Sequence, residues 1–273
     1  LARPTESNNL QARTELAKVY QEQKRYDEAE AILKESLVID PKQLHPRTEL
    51  ARVYIKIGLL RRARAEVINF LRENRGVDPD GFPHLMLAYL NACHQMSRYQ
   101  EGTGLVDRYG GQFISPELAE EYGRLLRHYD LAGAVGFFQT AARKFPSASR
   151  LLSEAAVCFK LAGRGDAEEI LEKAVRLEPN RGAKYRDIFD RVRSPRLMAF
   201  REKDCTGLLA ELDCQVTDAN PQVTRGVIES QGRRYSFRSN RYVDLLFGKM
   251  KINDEVVFDI ITGSYAVNIE PYF

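Results

Sequence analysis

Residues 11–43 read QARTELAKVYQEQKRYDEAEAILKESLVIDPKQ. Apolar and small residues recur in this stretch at intervals of three and four, the period of an amphipathic helix. The polar run QEQKR at 21–25 interrupts the pattern, and Pro41 closes it, because proline cannot continue a helix interior. The stretch therefore reads as two short helices and a turn. It also repeats. Leu16, Ala17, Tyr20 and Ala29 return as Leu50, Ala51, Tyr54 and Ala63 at an offset of 34 residues. The pattern returns again as Tyr122, Ala134, Phe138, Ala141 and Pro146, and as Ala155, Ala167, Leu171, Ala174 and Pro179. A recurring alanine at fixed phase is what two closely crossing helices require.

These residues resemble the tetratricopeptide repeat. Residues 10–43, 44–77, 115–147 and 148–181 carry recognisable copies, and FPHLMLAYLNACHQMSRYQEGTGLVDRYGG, residues 82–111, is similar to a degenerate copy. In that copy Tyr99 and Gly102 take the second-helix positions, and Gly102 replaces the usual alanine. VDPDGF breaks the phase, so a longer loop is expected around residues 76–82. The resemblance covers roughly residues 8–181. It implies a superhelix of stacked helix pairs, with a concave surface that holds a protein or peptide partner and performs no chemistry. It places Lys18, Arg52 and Lys56 on the groove of the first two repeats and Leu152, Phe159 and Lys160 on that of the last. A basic start and an apolar end suit an extended acidic peptide with a hydrophobic anchor, while the three basic residues also read as ordinary solvated helix charges. Thr14, Lys18, Thr48 and Arg52 do not reproduce the two-lysine, two-asparagine clamp by which some members hold a terminal carboxylate.

After Pro179 the pattern continues as helix through AKYRDIFDRVRSPRLMAFREKD, where Ile188, Val192 and Leu197 offer a stripe to cap the array and Pro195 marks a break. TGLLAELDCQVTDANPQ reads as a linker. From Val223 the period changes to two: VTRGVIES, RRYSFRSN, YVDLLFG, EVVFDIITG and YAVNIEP are short segments rich in β-branched and aromatic residues, separated by turn-type pieces. Five such strands predict a small closed barrel, of the OB or the SH3 type, since closure removes unpaired edges. The expected fold class is therefore α+β and multidomain: helical repeats over 1–181, a capping helix and linker over 182–221, and a five-stranded barrel over 222–273.

The barrel resembles the cold-shock domain, a barrel of the OB type. Gly226-Val227-Ile228, Gly232 to Phe237, Asp244 to Phe247, Val256 and Phe258, and Ala266-Val267-Asn268 follow in that domain's order. The resemblance implies that Tyr235 and Phe237 stack on single-stranded RNA or DNA, with Arg233, Arg234, Arg238 and Arg241 contacting phosphates. Ser230 and Glu229 stand where the family has tryptophan and lysine, and Leu246 and Gly248 where it has phenylalanine and histidine. Strict alternation gives another register, with Tyr235 and Phe237 inward and Arg234, Ser236 and Arg238 outward. Both stay open at this point. Acidic residues balance the barrel's basic ones, so only the local arginine cluster points to nucleic acid.

Composition narrows the remaining classes. The chain has 273 residues, 44% hydrophobic and 29% charged, with a net charge of +3. That charge is too small to imply nucleic acid or an anionic membrane by itself. No apolar run reaches the roughly 18–20 residues needed to span a bilayer, and no signal peptide is expected. Cys93, Cys158, Cys205 and Cys214 fit neither a disulfide framework nor a zinc spacing, so a reduced, cytoplasmic protein without metal or cofactor is expected. Cys93 and Cys158 read as small buried hydrophobes. His45, His84, His94 and His128 fall in different repeats or loops, and no phosphate loop or nucleophile turn occurs. The sequence thus predicts a non-catalytic adaptor coupling a protein partner to single-stranded nucleic acid. The alternative is a pure protein-interaction scaffold, a piece of a larger multidomain chain as the Leu1 start suggests, with the barrel as a second docking module.

Overall fold

The computed structural model describes residues 4–74, 82–108, 115–193, 200–217, 220–238, 251–261 and 265–271. Helices follow one another in pairs: α1 (Pro4–Glu22) and α2 (Tyr26–Ile39), α3 (Leu44–Ile57) and α4 (Leu60–Glu73), α5 (Pro83–Gln95) and α6 (Tyr99–Arg108). The series continues with α7 (Pro116–Arg127) and α8 (Leu131–Lys144), α9 (Ser149–Leu161) and α10 (Ala167–Leu177), and ends in α11 (Gly182–Arg191). The loop expected at 76–82 falls largely outside the described residues. The recurring alanines are where the helices cross: Ala17, Ala29, Ala51, Ala63, Ala134, Ala155 and Ala174 are fully buried.

A shared turn separates the two helices of several pairs. Gly58 has a φ of 86°, and Leu59 N–H donates to the Tyr54 carbonyl at 2.8 Å, a left-handed helix stop that satisfies an orphaned carbonyl. The same turn occurs at Lys24 (φ 60°), Ser97 (φ 56°) and Gly163 (φ 71°), each followed by an N–H bonded to the carbonyl of Tyr20, Cys93 or Phe159. A Cβ on Gly102 would lie 2.4 Å from Leu125 Cδ2 and 3.0 Å from Cys93 Cβ, so an alanine there would require the Leu125 side chain to shift.

The capping helix differs from expectation in its buried face. Tyr185 and Phe189 are buried, at 5% exposure each, whereas Ile188 is exposed and only Val192 of the expected stripe packs on the α9–α10 core. Leu197 and Pro195 lie outside the described residues.

Five strands form a closed barrel: β1 (Phe200–Thr217), β2 (Asn220–Ser230), β3 (Arg233–Arg238), β4 (Glu255–Ile261) and β5 (Tyr265–Pro271). The order around the barrel is β1-β2-β3-β5-β4, antiparallel except for β3 beside β5. This is the connectivity of an OB-type barrel. The first strand corrects the sequence reading, which assigned residues 200–217 to the end of a helix and a linker. Its register slips at Phe200/Glu202, Glu202/Cys205, Leu209/Glu211 and Asp213/Cys214. Each bulge resets which face a side chain points to, so period two disappears from the sequence. The cold-shock alignment is consequently displaced by one strand: Tyr235 and Phe237 are on β3. The segment YVDLLFG, expected as a strand, lies outside the described residues.

By contact density the chain forms two compact units, Leu1–Ser36 with Arg52–Ala63 and Met198–Phe273, and Leu37–Ala51 with Arg64–Leu197. In the first unit the barrel is tied to the start of α4. Arg61 Nη2 lies 2.8 Å from Asp259 and its Nε 2.8 Å from Asp204, and Nη1 also donates to the Asn268 carbonyl. Glu270 accepts the Arg61 backbone N–H at 3.1 Å, so a strand of the barrel caps a helix of the array.

Candidate functional site

The hairpin β2–β3 turns at Gln231 and Gly232, both with positive φ (50° and 72°), the two-residue turn that matches strand twist. That turn fixes the register. Gly226 faces Phe237, Val227 faces Ser236, and Arg225 faces Arg238. Side chains then alternate: Tyr235 is 5% and Phe237 2% exposed, while Arg233, Arg234, Ser236 and Arg238 are exposed. The inward register is therefore the one adopted, and the expected stacking role of Tyr235 and Phe237 is corrected. Tyr235 packs against Phe258, with ring centroids 5.5 Å apart. A Cβ on Gly226 would lie 2.3 Å from the Phe237 ring, so the ring covers the glycine across the strand pair.

Outside this core lies a cleft of about 700 Å³, lined by Glu211, Arg225, Ser236, Phe237, Arg238 and Tyr265 among others. Ser236 is paired with Tyr265 of β5, a residue 48% exposed. Arg225 and Arg238 are both exposed and stand directly opposite each other. Like charges in that relation destabilise a strand pair where nothing else compensates them. Of the other arginines, Arg234 is ion-paired to Glu211 and lies 3.2 Å from Glu229. Arg233 is exposed at the hairpin end, and Arg241 lies outside the described residues. Sequence reasoning named Arg238 but missed Arg225 and Tyr265, since only the strand register brings them together.

The expected partner-binding residues separate into two groups. Lys18 pairs with Glu15 at 2.8 Å on α1, Arg52 is half-buried and Lys56 is exposed on α3. Thr14 and Thr48 bond back to the carbonyls of Leu10 and Leu44 within their own helices. At the other end Leu152 and Phe159 are 0% and 2% exposed, part of the core completed by Tyr185 and Phe189, which corrects their expected placement on an open groove. Lys160 spans to α11, donating to the Phe189 carbonyl at 2.8 Å with its ammonium 4.2 Å from that ring.

One cluster was hidden by the repeat itself. His94 and His128 are one period apart, and their rings lie 5.4 Å from each other in adjacent repeats. Tyr99 stacks on His128 at 4.0 Å, and His94 Nδ1 is 2.6 Å from Glu121. Burial, reinforced by the charges of His94, Arg127 and Arg124, pushes His128 down to about 4. Burial raises Glu121, but its hydrogen bond to His94 and the charge of Arg124 outweigh this and leave it below the usual carboxylate range. Among the described residues no group of three acidic, histidine or cysteine side chains is arranged to hold a metal ion. Nor is any described helix long and apolar enough to cross a membrane. Cys93 and Cys158 are buried, free thiols.

The comparisons with known proteins concern the helical part. Residues 22–80 match the tetratricopeptide repeat family model. No curated protein matches the chain. Among solved structures, one described as the functional characterisation of Pseudomonas aeruginosa pilF is 17% identical, covering 66% of this chain and 90% of that one, with a TM-score of 0.52. A thermophilic tetratricopeptide-repeat protein of Thermus thermophilus is 16% identical, covering 66% and 97%, with a TM-score of 0.51. At such identities the likeness concerns fold. The chain is an array of tetratricopeptide-type helix pairs followed by a closed five-stranded barrel.

Proposed function

We propose that this protein is a non-catalytic adaptor whose helical array holds a protein segment while the outer face of its barrel holds single-stranded nucleic acid. The observation that carries the second half is the facing pair Arg225 and Arg238 on the rim of the 700 Å³ cleft, beside the exposed Tyr265. Two guanidinium groups suit successive phosphates, and one exposed aromatic suits a base, at about 1–3 kcal/mol for a stacked base. In this reading Tyr235 and Phe237 only support the face. Arg234, neutralised by two carboxylates, contributes little.

Anisotropy of labelled single-stranded RNA and DNA across a salt series tests this. Binding should weaken as salt rises. A variant carrying Arg225→Ala and Arg238→Ala should lower the slope of log affinity against log salt by about 1.4, the value for two lost phosphate contacts. Tyr265→Ala should weaken binding by about five- to 150-fold, and Arg234→Ala should change it little. Absence of binding at low salt overturns the nucleic-acid half. A second docking module for protein is then the better reading, favoured by Glu211 in the same cleft.

A further inference from the structure

We infer that the cleft between α8 and α10 is a recognition site for a peptide segment that presents one large apolar side chain next to a carboxylate. The inference rests on the array's protein-binding role and gives that role a place and a chemistry. The cleft has a volume of about 320 Å³. Its accessible apolar lining is at the sides, Ala142, Pro146 and Ile170, over Leu152 and Phe159 of α9, which are buried beneath it.

The rim is cationic. Arg143 stands on α8, Lys173 on α10, and Arg164 in the turn that precedes α10. Arg164 is neutralised by Asp166, with Nε 2.8 Å from Oδ1, and its guanidinium lies over the Phe159 ring at 4.5 Å. Arg143 is exposed and Lys173 half-buried, and neither has an ion-pair partner among the described residues. Two uncompensated positive charges therefore flank an apolar lining.

Each feature selects part of the ligand. The lining excludes a purely polar anion, because an apolar surface gains only from apolar contact. The two cations exclude a purely apolar segment, since they would be desolvated without a partner. The volume is at the lower end of ligand pockets and admits a side chain with its flanking groups. Nucleic acid fits poorly, because Arg164 already covers the face of Phe159.

The test is a selection from a random twelve-residue peptide library displayed against the full chain. Enriched peptides should carry Leu, Ile, Phe or Met beside Asp or Glu. They should lose at least tenfold in affinity against Arg143→Glu/Lys173→Glu, and less against Arg143→Gln/Lys173→Gln. Both substitutions are at the rim, and circular dichroism of each variant should match the parent. The Arg225→Ala/Arg238→Ala variant should bind the same peptides unchanged. Enriched peptides that bind the charge-reversed protein equally well overturn the cleft and leave the array's protein-binding role standing. A library that yields no enriched peptide overturns both.

Discussion

The guanidinium of Arg61, in the first turn of α4, lies 2.8 Å from the carboxylate of Asp259 on β4, a residue with no exposed surface. The same side chain meets Glu270 at 3.2 Å and Asp204 at 2.8 Å. One cation thus serves three carboxylates, two of them buried. Arginine suits the place because its planar fork donates in several directions, whereas a lysine ammonium is a single point.

Removing that cation takes the counter-charge from Asp259 and Glu270, although Asp259 keeps the Asp204 N–H and the Asn268 amide. Arg61→Met should lower stability by about 3–5 kcal/mol, the cost of leaving buried charge uncompensated. Arg61→Lys should restore less than the whole loss. Urea unfolding followed by circular dichroism reads both, and hydrogen exchange in β4 and β5 should accelerate in parallel.

Gly226 and Phe237 should behave as a coupled pair. Gly226→Val places atoms where the Phe237 ring and the Glu211 carbonyl already lie, at 2.3 Å and 2.5 Å from the new Cβ. The expected cost is about 1–3 kcal/mol. Phe237→Ala should cost about 3–5 kcal/mol alone. A double-mutant cycle should show that the two costs fall short of adding, because the smaller side chain makes room for the valine.

Lys24 occupies the left-handed turn position that Gly58 occupies one repeat later, with φ values of 60° and 86°. Glycine bears no Cβ strain in that conformation. Lys24→Gly should therefore stabilise the first helix pair by about 0.5–1 kcal/mol, seen as a higher urea midpoint at unchanged slope.

The two units should respond to pH with opposite sign. Burial, together with the Asp259 charge and against the pull of Arg61, pushes Glu270 up to about 7 from its ordinary 4.5. The folded state then holds the proton more tightly than the unfolded state. Its contribution is complete below pH 4.5 and is lost as pH rises through 7. His128 is the reverse: held down at about 4 against an ordinary 6.5, it contributes fully above pH 6.5 and loses that contribution as pH falls through 4. Hydrogen exchange measured from pH 4 to 8, corrected for intrinsic rates, should show β5 loosening toward the alkaline end and α7–α8 toward the acid end. Glu270→Gln should flatten the first trend and His128→Phe the second.

The sequence by itself determined whatever depends on neighbours along the chain. Alanines such as Ala29, Ala63 and Ala134, fixed in phase, announce close helix crossings wherever the repeat places them, and all three are fully buried. Alternation through Arg234, Tyr235, Ser236, Phe237 and Arg238 announces a strand with one wet face, though a resemblance to a nucleic-acid-binding motif left its direction open. Tertiary structure alone decided the rest. The bulges of β1 erase the period by which a strand is recognised, and only pairing with β2 and β4 makes residues 200–217 extended. Arg225 meets Arg238 because of a turn at Gln231 and Gly232, and Tyr265 joins them through a strand pairing between distant segments. Arg61 and Asp259 are 198 residues apart, and no local pattern selects one carboxylate among the 38 acidic residues of the chain. Local preference is written in the spacing of side chains, whereas a site assembled across strands and repeats exists only once the chain has closed on itself.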